Sequence, residues 1–149
     1  MEFEIREMRT DEWRIWASMR AALYEINYQD ACWDCEQFAA GLHKDIKVVF
    51  VGVVGQEIIA FAELGERSYA DGCYDGPVAY LEGWFVDKGH RQIGVGRALL
   101  DASITWALRN DYPHLASGVG LGNIASQNVH EACGFEEIDR IVHYRMKLK

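Results

Sequence analysis

Val78-Ala79-Tyr80-Leu81-Glu82-Gly83-Trp84-Phe85-Val86, then Asp87-Lys88-Gly89-His90, then Arg91-Gln92-Ile93-Gly94-Val95-Gly96-Arg97, is the stretch on which the reading of the fold turns. Val78 to Val86 carries a single charge, Glu82, among apolar and aromatic residues, which predicts a central strand. Past the turn, Val95, Ala98, Leu99, Ala102 and Trp106 recur at helical spacing and predict the buried stripe of an amphipathic helix. The start of a helix presents unsatisfied N–H groups and roughly half a positive charge. Gly94 and Gly96 remove the side chains that would keep a pyrophosphate away from those amides, and Arg91 and Arg97 add cationic donors. The pattern is not a Walker loop, because no Gly-Lys-Ser/Thr follows, nor a full dinucleotide fingerprint. Taken alone, two glycines also fit an ordinary strand-to-helix turn.

Working outward, Phe3 and Ile5 alternate with Glu2, Glu4 and Arg6 and predict a short half-buried strand. Thr10 reads as an N-cap, with Asp11 and Glu12 as an acidic first turn, and a helix follows through Tyr24. A second helix is expected over about 34–42. Residues 47–54 and 57–66 flank Gly55-Gln56 as an antiparallel hairpin. Ser68 to Pro77 is rich in turn formers. Leu115–Val119 predicts a strand and Ala125–Ala132 a short helix, and Phe135–Asp139 and Ile141–Leu148 predict two closing strands. The order β-α-α-β-β-β-α-β-α-β-β is that of a mixed α/β sheet with helices on its faces.

The chain of 149 residues fits one domain, 1–149, without a linker or internal repeat. A net charge of −8 argues against nucleic acid as a partner and favours cationic small molecules, although acidity serving solubility alone is the alternative. The first residues lack the build of a signal peptide and no apolar run reaches membrane-helix length, so the cytoplasm is the expected compartment and no membrane the expected partner. Cys32-Trp33-Asp34-Cys35 has redox and zinc spacing, but no second pair completes a zinc site, and Cys73 and Cys133 stand alone. No metal is expected.

Val86 through Gly96 resembles the acyl-CoA-binding signature of the GNAT acetyltransferases. Asn123-Ile-Ala-Ser126-Gln-Asn-Val129-His130-Glu-Ala-Cys-Gly134-Phe135 resembles the superfamily's Asn-bearing turn, short helix and closing Gly-Phe. Tyr69-Ala-Asp-Gly72-Cys73 with Pro77-Val78, Leu81-Glu82-Gly83-Trp84-Phe85-Val86 and Ser126-Gln127-Asn-Val129-His130 are similar to the aminoglycoside 6'-N-acetyltransferases. This resemblance implies the GNAT fold, a mostly antiparallel seven-stranded mixed sheet with helices on both faces. It also implies acetyl-CoA as co-substrate, an aminoglycoside as acceptor and a homodimer. By the same likeness, Trp84, Phe85 and Val86 pair with the pantetheine arm through their backbone. Gln92, Ile93, Gly94, Val95, Gly96 and Arg97 hold the pyrophosphate, and Asn123 hydrogen-bonds the cofactor arm. Tyr24 and Tyr69 match positions flanking the aminosugar, and Glu82 and Asp139 match acidic acceptor contacts. One departure stands out. Where the family carries Asp after Ala-Ser, this chain reads Ala116-Ser117-Gly118, so that carboxylate is absent or replaced by Asp71, Asp75 or Glu66.

An ammonium has no lone pair, so an amine acceptor must lose a proton before it attacks a thioester. Glu82, flanked by apolar neighbours that would desolvate it, is the expected general base, and it would act through a water; a surface carboxylate held in a salt bridge is the alternative. A backbone amide at the end of its strand is the expected oxyanion donor. His130 stands where many members carry a Tyr that protonates the departing thiolate; a structural histidine is the alternative. Attack is expected to be direct, with Cys133 as packing rather than nucleophile. Two further readings remain: a GNAT enzyme for a polyamine, peptide or other small amine, and a non-catalytic acyl-CoA-binding or redox module built on Cys32 and Cys35. An aromatic dimer interface would draw on Trp13, Trp16, Trp33 and Tyr144.

Overall fold

The computed structural model describes residues 2–149, in two compact units, one ending at Ser117 and the other running from Gly118 to Lys149. The first unit is a five-stranded sheet in sequential order: β1 (Glu4–Glu7), β2 (Ile46–Val54), β3 (Glu57–Arg67), β4 (Val78–Val86) and β5 (Leu115–Ser117). The first four strands pair antiparallel and β4 pairs parallel with β5. A 15-residue crossover helix, α3 (Val95–Arg109), makes that parallel pairing possible. Two helices, α1 (Trp13–Tyr24) and α2 (Tyr28–Ala39), complete the unit.

Alternation along β2 sorts the helices onto the two faces of the sheet. Val49, Val51 and Val53 pack with Phe61 against Trp16, Ala17 and Met19 of α1 and Ala31 and Cys35 of α2. On the opposite face, a Cβ at Gly52 would meet Val95 Cγ1 of α3 at 2.7 Å, so the helix approaches the strand closer than any side chain permits. Trp16 and Phe61 are fully buried, each contributing about 2–3 kcal/mol of apolar burial.

Several expectations are corrected. The second helix starts at Tyr28, well before residue 34, because the Asn27 side chain accepts from the Asp30 N–H at 2.8 Å and caps it. Thr10 to Glu12 form a 3-10 turn, and Glu12 caps it by accepting from the Arg9 N–H. The buried stripe of α3 is Val95, Leu99, Leu100, Ser103 and Ala107, rotated from the expected Ala98, Ala102 and Trp106. Ser103 enters the core because its hydroxyl donates to the Leu99 carbonyl at 2.8 Å.

The second unit holds one helix, α4 (Ile124–Ala132). Asn123 caps it by accepting from the Ser126 N–H at 3.1 Å, and Gly134 ends it with φ of 99°. The two strands expected after Phe135 are not formed. Residues 136–149 have no ladder partner among the described residues, and Tyr144 is 93% exposed. Alternating apolar residues alone do not make a strand without a neighbouring backbone to pair with. The sheet therefore has five strands rather than seven among the described residues.

Candidate active site

Glu82 owes its position to a β-bulge. Glu63 pairs with Gly83 and Leu64 with Leu81, which leaves Glu82 as the extra residue of β4. Its side chain lies back over β3, where a Cβ at Gly65 would meet Glu82 Oε1 at 3.3 Å and the Asp45 carbonyl at 2.7 Å. The glycine on β3 is thus the space into which the carboxylate folds. That carboxylate is 26% exposed, and both its oxygens accept from Arg67: Nε to Oε1 at 3.1 Å and Nη2 to Oε2 at 2.9 Å. Arg67 in turn stacks its guanidinium 3.5 Å over the Tyr80 ring.

The desolvated carboxylate of this region is Glu63, not Glu82. Glu63 is fully buried and receives Arg20 Nε at 2.9 and 3.0 Å. Burial pushes its carboxyl up, and the facing Arg20 opposes the shift. Arg20 Nη1 reaches Asp34 at 2.8 Å. His43 faces the same Asp34 through Nε2 at 3.2 Å, while its Nδ1 accepts from the Asp45 and Ile46 amides. The Tyr24 hydroxyl lies 2.7 Å from both Glu63 Oε1 and the Glu82 carbonyl. Burial and then Glu63 raise its pKa, so the phenol keeps its proton. A chain of polar contacts thus runs from α2 through α1 into the bulge. It explains Gly83, where a Cβ would meet Glu63 Oε1 at 2.6 Å and the Tyr24 hydroxyl at 2.8 Å. Sequence reasoning missed Glu63. Its signal was a lone charge inside the otherwise apolar run from Ile58 to Leu64.

Above this network opens a cavity of about 440 Å³, whose lining includes Glu82, Glu66, Asp45, Asp34, Arg67 and Tyr24. Its acids outnumber its arginines. Of the three carboxylates considered as stand-ins for the one missing at Gly118, Glu66 lines this cavity, and it accepts from the Tyr112 hydroxyl at 2.7 Å. Tyr24 turns its hydroxyl inward and leaves its ring partly exposed. Tyr69 is exposed and donates to Asp71 at 2.8 Å, a bond that pushes its phenol up to about 12.

The far end of β4 has a different character. Pairing with β5 stops at Leu81↔Ser117, so β5 supplies no partner opposite residues 82–86. The turn beyond places Gln92 at φ 67° and Gly94 at φ 96°, with Gly94 as the N-cap of α3 and no side chain capping it. The first bond of the helical ladder runs from Ala98 to Gly94, so the Val95, Gly96 and Arg97 amides precede it. A Cβ at Gly94 would meet nothing closer than 3.9 Å, so the approach to these amides is open. These features fit a diphosphate and an extended amide-bearing arm. Trp84 Nε1 donates to the Gly96 carbonyl at 3.0 Å and ties strand to helix. Arg91 is spent on the Val86 carbonyl at 3.0 Å, and Arg97 faces Asp101 at 3.4 Å.

In the second unit, His130 Nδ1 donates to the Ser126 carbonyl at 2.8 Å and its ring packs on Phe135 at 5.0 Å. Asn123 spends its side-chain oxygen on the helix cap, and Asp139 is exposed. The thiols Cys32 and Cys35 are free. Burial pushes Cys35 up to about 12, the opposite of an activated thiolate.

The acetyltransferase (GNAT) family model matches residues 4–135. The chain belongs to the GNAT acetyltransferase family. It is 36% identical to the aminoglycoside N(6')-acetyltransferase type 1 of Klebsiella aerogenes over 97% of this chain and 96% of that one. It is 34% identical to the namesake of Salmonella enteritidis over 97% and 99%. A solved structure of AAC(6')-Iy with a bisubstrate analog, CoA-S-monomethyl-acetylneamine, superposes with a TM-score of 0.87 at 32% identity, covering 99% of each chain. The CoA complex of the same enzyme gives 0.88 at 30% identity, over 98% and 95%. As a family member, this chain is an acetyl-CoA-dependent N-acetyltransferase. No helix among the described residues is long and apolar enough to cross a membrane.

Proposed function

We propose that the chain acetylates the 6'-amino group of an aminoglycoside by direct attack, with Glu82 as general base. The observation that carries this reading is the acidic cavity, which sets Glu82 among Glu66, Asp45 and Asp34 and suits an acceptor bearing several ammonium groups. Relatives at 34–36% identity carry that activity in their names. Glu82 takes the proton of the bound ammonium, through a water, and so creates the lone pair that attacks. An amide near the end of β4 faces the developing oxyanion. His130 gives a proton to the departing thiolate. Trp84, Phe85 and Val86 hold the pantetheine arm through the main chain, the turn from Gln92 to Arg97 holds the diphosphate, and Asn123 bonds the arm. The exposed ring of Tyr24, with Tyr69, flanks the aminosugar, and Asp139 is a further acidic contact. Glu66 takes the role of the carboxylate missing at Gly118. The enzyme works in the cytoplasm as a homodimer, to which Trp33 and Tyr144, both exposed, offer aromatic surface, whereas Trp16 is committed to the core.

A thiol-release assay with kanamycin, spermidine and a short peptide tests the acceptor. Turnover confined to spermidine or the peptide would overturn the aminoglycoside assignment. Glu82→Gln is expected to lower kcat more than tenfold while CoA still binds in calorimetry, and an unchanged kcat would remove Glu82 from the chemistry.

A further inference from the structure

We infer that Arg67 is the resting partner of the base: it caps Glu82 until a cationic acceptor displaces it, and so keeps water from being used as the acceptor. The inference rests on the reading of Glu82 as base, and four observations support it. Both carboxylate oxygens are engaged by a single guanidinium in a fork, at 2.9 and 3.1 Å, the geometry that most fully occupies a carboxylate. That guanidinium is itself seated 3.5 Å over the Tyr80 ring, which orients it without burying it. Its side chain is 46% exposed, so it can leave the carboxylate without breaking the core, unlike Arg20, which is held between Glu63 and Asp34. Finally, Asp45 and Glu66 line the same cavity and neither forms an ion pair with an arginine among the described residues, so an arriving polycation has other carboxylates to hold it while Arg67 gives way.

The consequence concerns which nucleophile meets the thioester. With acetyl-CoA bound and no amine present, the competing reaction is hydrolysis. The water oxygen bonds to the acetyl carbon, the C–S bond breaks, and its electron pair leaves with the CoA thiolate. Glu82 takes one water proton and returns it to solvent or to the thiolate, giving acetate and CoA. A carboxylate whose lone pairs are directed at Arg67 is a poor acceptor for that proton. An ammonium brings a positive charge of its own to Glu82 and replaces the guanidinium, whereas water brings none. Arg67 therefore lowers the fraction of active base only while the acceptor site is empty. Its effect belongs in KM for the amine and in the background hydrolysis, not in the turnover of the saturated enzyme.

The experiment compares Arg67→Gln and Arg67→Lys with the parent protein by thiol release, with kanamycin as the polycation and with no amine. A half-exposed forked pair is worth a factor of roughly fivefold. Arg67→Gln is expected to lower KM for kanamycin and to raise amine-independent acetyl-CoA hydrolysis, each by about that factor, with Arg67→Lys intermediate because an ammonium cannot fork. A fall in kcat for Arg67→Gln with unchanged hydrolysis would show that Arg67 aligns Glu82 for catalysis and would overturn the inference. So would an unchanged or higher KM. Glu82→Gln is run alongside to separate the two layers. If it keeps its kcat, Glu82 is not the base and the underlying reading fails. If it loses turnover while Arg67→Gln changes neither KM nor hydrolysis, only the capping role is lost.

Discussion

Gly83→Ala is the sharpest test of how the bulge is built. The new methyl carbon would lie 2.6 Å from Glu63 Oε1, 2.8 Å from the Tyr24 hydroxyl and 3.0 Å from Glu63 Cγ. An exposed carboxylate would swing away at little cost, but Glu63 is fully buried and its two oxygens are tied to Arg20. The strand must shift, or the ion pair must break. Overpacking a closed core costs about 1–3 kcal/mol, and disrupting a buried ion pair about 3–5 kcal/mol. The route of lower cost sets the loss at about 2–3 kcal/mol, equivalent to a fall in Tm of roughly 4–12 °C for a chain of this length. Urea denaturation followed by tryptophan fluorescence measures it. Gly120→Ala is the control, because a Cβ there meets nothing within 4 Å, and it is expected to stay within about 0.5 kcal/mol. A Gly83→Ala protein as stable as the control would refute the packing argument and, with it, the claim that Glu63 and Tyr24 press on the strand beside Glu82.

Two other perturbations probe different parts of the molecule. Gly94→Asp places an L-residue at φ 96° and a negative charge at the start of α3, so CoA affinity measured by calorimetry is expected to fall more than tenfold while the fold persists in far-UV circular dichroism; native affinity would mean that the turn does not hold the diphosphate. Glu12 is held below the ordinary carboxylate range by hydrogen bonds from Arg6, against the opposing effect of burial. A lowered native pKa contributes stability at pH values above the ordinary carboxylate pKa, and that stability is lost as pH falls through the lowered value. Glu12→Gln should therefore cost about 1 kcal/mol at pH 7 and reduce the loss of stability seen on acidification below about pH 5, and parallel pH profiles for the two proteins would contradict the assignment.

The parts legible in the sequence are those with a local cause. Strand β4 begins and ends where its apolar run does, and the turn at Gly94 declares itself through residues that tolerate φ above zero. Glu82 stood out there as the one charge in that run, and its candidate role came from the likeness to an acidic acceptor contact. Features that depend on distant partners were not legible. Arg20 and Glu63 lie 43 positions apart, and nothing local to either predicts an ion pair between them. Arg67 carried no mark of its role before the bulge brought Glu82 beneath it. The expected stripe of α3 left out Ser103, although a hydroxyl bonded to its own helix enters a core readily. Ile141 to Leu148 alternates like a strand, but pairing depends on a neighbouring chain segment that the alternation does not supply.

The early end of β5 carries a further consequence. On the proposed reading, a donor bound beyond the last β4–β5 pair and at the head of α3 is gripped by peptide groups, which nearly every residue type supplies equally. The acceptor proposed for the cavity, in contrast, would meet side chains such as Glu66, Asp45 and Tyr24, each of which one codon change can alter. Mutation can thus redraw the list of amines this scaffold accepts while its acyl supply stays constant, so changes in acceptor range should map to the cavity wall and seldom to the strand that feeds it.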